Sequence, residues 1–187
     1  MKAYLQSFRV LTEEEIDAAV QLSRRRVIPR HGFFIREGQV CEEVAFVQSG
    51  FFRSFYHHAN GDEITYCFTF SGSYLTAYSS FLTGNPAAES ICALADAEIY
   101  SISRTEVRQL EQSSANWLAF SKLLAEQEYL SMERRVFSLL KEPAEARYQD
   151  LLRSHPEYLQ LIPLGQLASY LGITQRHLSR LRKLHTI

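Results

Sequence analysis

Apolar positions change their spacing three times along the chain. Thr12-Glu13-Glu14-Glu15 is a capping box, and Ile16, Ala19 and Val20 follow at helical intervals, predicting a helix of about three turns. From Val27 to Ser103 the period drops to two. Short runs of β-branched and aromatic residues cover 33–35, 44–48, 51–56, 64–70, 90–94 and 98–102, with Gly, Asn, Asp and Pro between them. Regularly spaced short strands predict an antiparallel barrel or roll. Asn60-Gly61 is a strong hairpin signal, because both central residues must tolerate positive φ. Residues 78–82 interrupt the pattern as one helical turn or a loop. Arg24, Arg25 and Arg26 close the first helix or open the next strand, and read as a solvated run because nothing Gly-rich adjoins them.

Beyond Ser103 the helical period returns. A short helix is expected over 103–111 and a long one over Ala115–Lys141. Leu118, Ala125, Tyr129, Met132, Val136 and Leu139 recur at sevens, fours and threes, a heptad seam with Ser121 or Lys122 in the skipped place. Phe120, Leu123, Leu130 and Phe137 make a second stripe. Two apolar stripes imply two partners: the chain's own roll, and a second copy of the chain. Pro143 ends this helix, another follows over 144–153, and His155-Pro156 breaks that one. The expected architecture is α+β. Residues 1–112 form the β-roll, 113–142 the dimerisation helix and 143–187 an all-α unit.

Within that last unit, residues 164–183 read as two short helices joined by a tight turn. Ala168 is small where crossing helices approach. Gly172 falls at the turn, and Leu178 returns the second helix onto the first. Leu167, Leu171, Ile173 and Leu181 fill other inward positions, and Thr174 can cap the second helix. Its outward face carries Gln175, Arg176, His177, Ser179, Arg180, Arg182 and Lys183, with no acid after Glu157. This is a helix-turn-helix with a donor-rich face, suited to phosphates and base edges.

Net charge is −1, so affinity for nucleic acid would have to come from this local patch rather than from the whole chain. The three cysteines, Cys41, Cys67 and Cys92, are widely spaced and odd in number. They predict neither a disulfide framework nor a zinc or iron–sulfur site, and fit a reducing cytoplasm. No run is long enough to span a bilayer, so no membrane partner is expected. His57 and His58 with Glu63 faintly suggest a cupin-like metal site. Adjacent histidines on a strand point to opposite faces, however, so neither a metal nor a cofactor is expected. Ser79-Ser80 has no His and Asp at catalytic spacing, and no phosphate loop occurs, so the chain is not expected to be an enzyme.

A roll, a long helix and a C-terminal helix-turn-helix, in that order, resemble the Crp/Fnr family of bacterial transcription factors over nearly the whole chain. The likeness is to short-tailed members typical of Bacteroidetes, through Ala45-Phe46-Val47-Gln48-Ser49-Gly50, Tyr78-Ser79-Ser80-Phe81-Leu82-Thr83 and Ala168-Ser169-Tyr170-Leu171-Gly172-Ile173. The resemblance implies a homodimer on a palindromic operator, with RNA polymerase as a further partner. Gln175, Arg176 and Arg180 would read bases; Thr174, His177, Ser179, Arg182 and Lys183 would contact phosphates. It places an effector pocket at Gly72, Ser73, Tyr74, Leu75, Glu89 and Ser90. There the chain departs from the pattern of cyclic-nucleotide binders, which carry a Gly-Glu pair and later an Arg-Ser or Arg-Thr pair. Ser73 stands for the Glu and Glu89 for the Arg. A carboxylate there repels phosphate, so no tight binding of cAMP or cGMP is expected. The aromatic residues Phe68, Phe70, Tyr74 and Tyr78 leave open an apolar effector instead.

Overall fold

The computed structural model describes every residue except His155, Glu157, Thr186 and Ile187, and every side chain but theirs and those of Tyr158 and His185. The predicted break at His155-Pro156 therefore lies partly outside the described residues. Contacts divide the chain into two compact units, residues 1–56 with 68–126, and residues 57–67 with 127–187.

The first unit opens with α1 (Lys2–Ser7) and α2 (Glu13–Leu22). The capping box at Thr12 forms: its side chain accepts from the Glu15 N–H, and the Glu15 carboxylate accepts from the Thr12 N–H. Helix α1 is an addition to the sequence reading. Only Leu5 of its six residues is buried, too little to set a period.

Eight strands follow: β1 (Arg24–Ile28), β2 (Phe33–Ile35), β3 (Glu43–Ser49), β4 (Phe51–His57), β5 (Glu63–Phe70), β6 (Tyr74–Leu75), β7 (Ser90–Ala93) and β8 (Ala97–Ser103). They form two four-stranded sheets, in the orders β1-β8-β3-β6 and β2-β7-β4-β5. Helix α3 (Tyr78–Thr83) lies between β6 and β7 in sequence, one and a half turns where the pattern allowed a turn or a loop. Helix α4 (Arg104–Ser113) follows β8 and starts on a second capping box, Ser103 with Glu106.

Alternation along the strands sorts the first unit's apolar residues into two clusters. Ala45, Val47, Phe52, Ile91, Ala93 and Ile99 belong to the interior of the roll. Leu5, Ile16, Ala19, Leu110, Trp117 and Phe120 form a second cluster, against which Tyr74 and Ile102 pack. Phe46 pairs with Tyr74 in register and Val44 with Ile102, so these four side chains share the opposite sheet face from Ala45 and Val47.

Two local expectations are corrected. Arg24, Arg25 and Arg26 open β1, the second of the two alternatives, but they are not merely solvated. Arg24 makes two bonds to Glu106, of 2.8 and 2.6 Å; Arg25 bonds Glu98 at 2.8 Å; Arg26 pairs with Glu43. At the β4–β5 turn, only Gly61 has positive φ, of 89°, and Asn60 does not. The Gly61 N–H donates to His58 O at 2.8 Å, and the His58 N–H donates to Asp62 O at 2.8 Å. This is a three-residue loop closed by a left-handed Gly, not the two-residue turn that needs both residues left-handed.

In the second unit, the C-terminal part of α5 (Ala115–Lys141) leads to α6 (Ala144–Ser154), α7 (Tyr158–Leu161), α8 (Leu164–Tyr170) and α9 (Gln175–His185). Tyr148, Leu151, Ile162, Leu167, Ala168, Leu171, Leu178 and Leu181 are buried here. No described helix is long and apolar enough to cross a membrane.

Candidate nucleic-acid interface

Helix α8 ends in a Schellman motif. Gly172 has φ 67°, its N–H donates to Ser169 O at 3.0 Å, and the Ile173 N–H donates to Ala168 O at 3.0 Å. A Cβ on Gly172 would stand 3.2 Å from Leu139 Cδ2, and a side chain there would be strained by the left-handed backbone as well. Thr174 then caps α9: its hydroxyl accepts from the His177 N–H at 3.2 Å. Leu178 is fully buried and Leu181 nearly so, and they hold α9 onto Leu167, Ala168 and Leu171.

That inward face determines what points out. Gln175, Arg176, His177, Arg180 and Lys183 are exposed, and Ser179 is half-buried. Arg176, Arg180 and Lys183 follow at fours and threes, so they line one face of α9. Among the described residues none of these three forms an ion pair. Arg182 differs. Its guanidinium donates to Leu159 O at 3.3 Å and so ties α9 to α7. Gln175 has its amide over Gly165, where a Cβ would come within 2.7 Å of Nε2.

Two arginines that the sequence reading left out fasten α8. Arg147 donates to Leu171 O at 3.0 Å and to Glu142 O at 2.5 Å. Arg135 donates to Tyr170 O and, at 3.2 Å, to Tyr66 O, while its guanidinium lies 3.8 Å from the centre of the Tyr170 ring. Burial lowers the Arg135 guanidinium from its ordinary value, opposed by Tyr170 and Cys67. Burial likewise raises the Tyr170 phenol. The same helix is held from the hairpin at residues 57–67. Ser169 Oγ accepts from the Thr65 N–H at 2.9 Å and donates to Glu63 O at 3.3 Å. Nothing local in the sequence marks Arg135 for this, since Arg134 stands beside it. Its partners are backbone carbonyls 69 and 35 residues away, which no periodicity encodes.

The expected effector residues lie in the first unit. Gly72, with φ 86°, donates to Val47 O at 2.8 Å, and Ser73 O accepts from the Val47 N–H at 3.0 Å. Tyr74 and Leu75 form β6. Glu89 is half-buried, and the buried Ser90 hydroxyl accepts from the Glu37 N–H at 3.0 Å. Along α5, the expected seam residues Leu118, Tyr129, Met132, Val136 and Leu139 are exposed, Tyr129 at 66%, and Ala125 is half-buried. Of the second stripe, Phe120 is buried, whereas Leu130 and Phe137 are exposed.

Residues 25–114 match the family model of the cyclic nucleotide-binding domain. That stretch runs from β1 through α4 and so covers the roll. Solved structures extend the likeness of this domain into the helices that follow it. FixK2 from Bradyrhizobium japonicum superposes with a TM-score of 0.76 at 16% identity, over 87% of this chain and 83% of that one. A protein assigned to the crp/fnr family of transcriptional regulators, from Eubacterium rectale, gives 0.75 at 14% identity, over 97% and 87%. CLP of Xanthomonas campestris, described as a c-di-GMP responsive global regulator, gives 0.70 at 20%, over 92% and 91%. At these identities the likeness is one of fold, and the fold is that of the Crp/Fnr regulators, as the resemblance of the sequence implied. A search of curated proteins finds no match.

Proposed function

We propose that the chain is a dimeric, sequence-specific DNA-binding transcription regulator of the Crp/Fnr type, without catalytic activity. The observation that carries this reading is the face of α9. Arg176, Arg180 and Lys183 are exposed on a helix held by a capped turn, with no carboxylate partner among the described residues. A cation left unpaired on a rigid helix is available to phosphate or to a guanine edge. In this reading Gln175, Arg176 and Arg180 enter the major groove, while Thr174, His177, Ser179 and Lys183 meet the backbone. Arg182 contributes least, because Leu159 O already occupies it.

Dimerisation through α5 supplies the second half-site. Tyr129, Met132, Val136 and Leu139 are an apolar stripe that water covers in the single chain. The two-fold axis makes the operator a palindrome with half-site centres roughly 34 Å apart. RNA polymerase is the further partner, and the cytoplasm is where both meet. Selection of bound sites from random duplex DNA tests the reading, with calorimetry against cAMP, cGMP and c-di-GMP alongside. A palindromic consensus with no heat from cAMP or cGMP supports it; failure to retain any duplex at low salt overturns it.

A further inference from the structure

The first unit contains an apolar cavity of about 120 Å³ that the regulator reading does not use. It lies where the two apolar clusters meet: Phe81 comes from the roll's interior, and Leu5, Ala19, Leu110, Trp117 and Phe120 from the second cluster. Its wall is dominated by rings: Tyr74 from β6, Tyr78 and Phe81 from α3, Trp117 and Phe120 from α5. Tyr78 is 37% exposed, which leaves a way in from α3. One wall group is an unspent donor. The Tyr74 ring stands edge-on to Tyr4 and Phe46, at 5.1 and 5.8 Å between centroids, but its hydroxyl makes no hydrogen bond among the described residues. The hydroxyl is not sealed from solvent, so this donor is open to water or to a ligand. Burial, reinforced by the neighbouring Tyr4, pushes this phenol above its ordinary range, so it stays a neutral donor at any physiological pH. One carboxylate, Glu111, also borders the space.

We propose that this cavity is a binding site for a neutral, single-ring aromatic molecule carrying one hydrogen-bond acceptor. Volume sets the upper limit: the space is no larger than an apolar cavity of about 150 Å³ that holds benzene, so one ring is the most it takes without rearrangement, and two fused rings or a nucleotide are too large. The rings of the wall offer edge-to-face contacts to another ring. Tyr74 supplies the one polar contact, and Glu111 disfavours an anion. The site shares Tyr74 with the expected effector residues but not Gly72, Ser73, Glu89 or Ser90, and it stands apart from the regulator reading, since no DNA enters its test.

Trp117 is the chain's only tryptophan and lies in the wall, so its emission reports occupancy directly. The experiment titrates the full chain with phenol, toluene and benzoate. A saturable change is expected with phenol and toluene, with benzoate at least tenfold weaker. Tyr74→Phe should weaken phenol several-fold and leave toluene unchanged. Ser121→Phe, which extends a ring from the wall into the space, should abolish both responses while keeping the parent's melting temperature. Should that variant melt early, Leu124→Phe fills the same space, and the melting temperature of the unmodified chain gives a second readout, rising with phenol and toluene only. No saturable response to either neutral compound overturns the site. So does benzoate matching phenol, or a folded filled variant titrating like the parent.

Discussion

The chain carries two basic clusters, and they meet opposite fates. On β1, Arg24, Arg25 and Arg26 each find a carboxylate within the first unit, Glu106, Glu98 and Glu43. On α9, Arg176, Arg180 and Lys183 find none among the described residues. A strand paired into a sheet brings distant acids alongside, and each pairing quenches a charge locally. An edge helix whose inner side is Leu178 and Leu181 holds its cations clear of the rest of the unit. A run of arginines is therefore not evidence of an interface. What counts is whether the fold supplies the counter-charge or leaves that to a partner.

The largest effect should come from breaking the link between two copies of the basic helix. Val136→Glu should leave monomers and lower operator affinity by about 100-fold or more, because each half-site then binds alone. Sedimentation with gel-shift titration measures both, and monomers of unchanged affinity would refute the seam on α5. Next, Arg180→Ala should cost about 1–3 kcal/mol of specific binding and relax one base position per half-site. If all duplexes weaken equally, Arg180 holds phosphate instead. Arg24→Ala, on the quenched cluster, should leave the binding curve where it was.

Smaller effects sharpen the contrast within each unit. Arg135→Met removes a donor to Tyr170 O and Tyr66 O and should cost about 1–3 kcal/mol of the second unit's stability, read by denaturant unfolding. Lys183→Ala should act mainly through salt, flattening the slope of log affinity against log salt by about one. The smallest effect concerns Glu106. Arg24, then Ser103 through its side chain and its backbone N–H, hold the Glu106 carboxyl down at about 2. Its folded value lies below the unfolded one, so folding favours the charged form. The contribution is complete above the ordinary carboxylate range and disappears as pH falls through about 2. Glu106→Gln should flatten stability over that window, which acid titration of the melting temperature would reveal.

Much of this was legible because the signals are local. The capping box at Thr12, the helix Ala115–Lys141 and the Gly172 turn depend on residues within four or five positions of one another. Strand β6, two residues long, was missed because it exists only through pairing with Ala45 and Phe46. The Asn60-Gly61 turn was misread because the dipeptide fits two loop lengths, and strand register chooses between them. At the candidate interface, the exposed residues of α9 could be named from the sequence. That Arg182 is engaged by Leu159 O, and that Arg135 and Arg147 hold α8, could not.

The sequence alone determined the order of the larger elements, the capped turn before α9 and which residue types face outward there. Each follows from backbone preference and side-chain spacing within one element. Tertiary structure decided which charges are neutralised, which carbonyls are occupied and where a cavity remains beside Trp117. Those depend on groups brought together across tens of residues, and the energy of a charge or a donor is set by its neighbour in space.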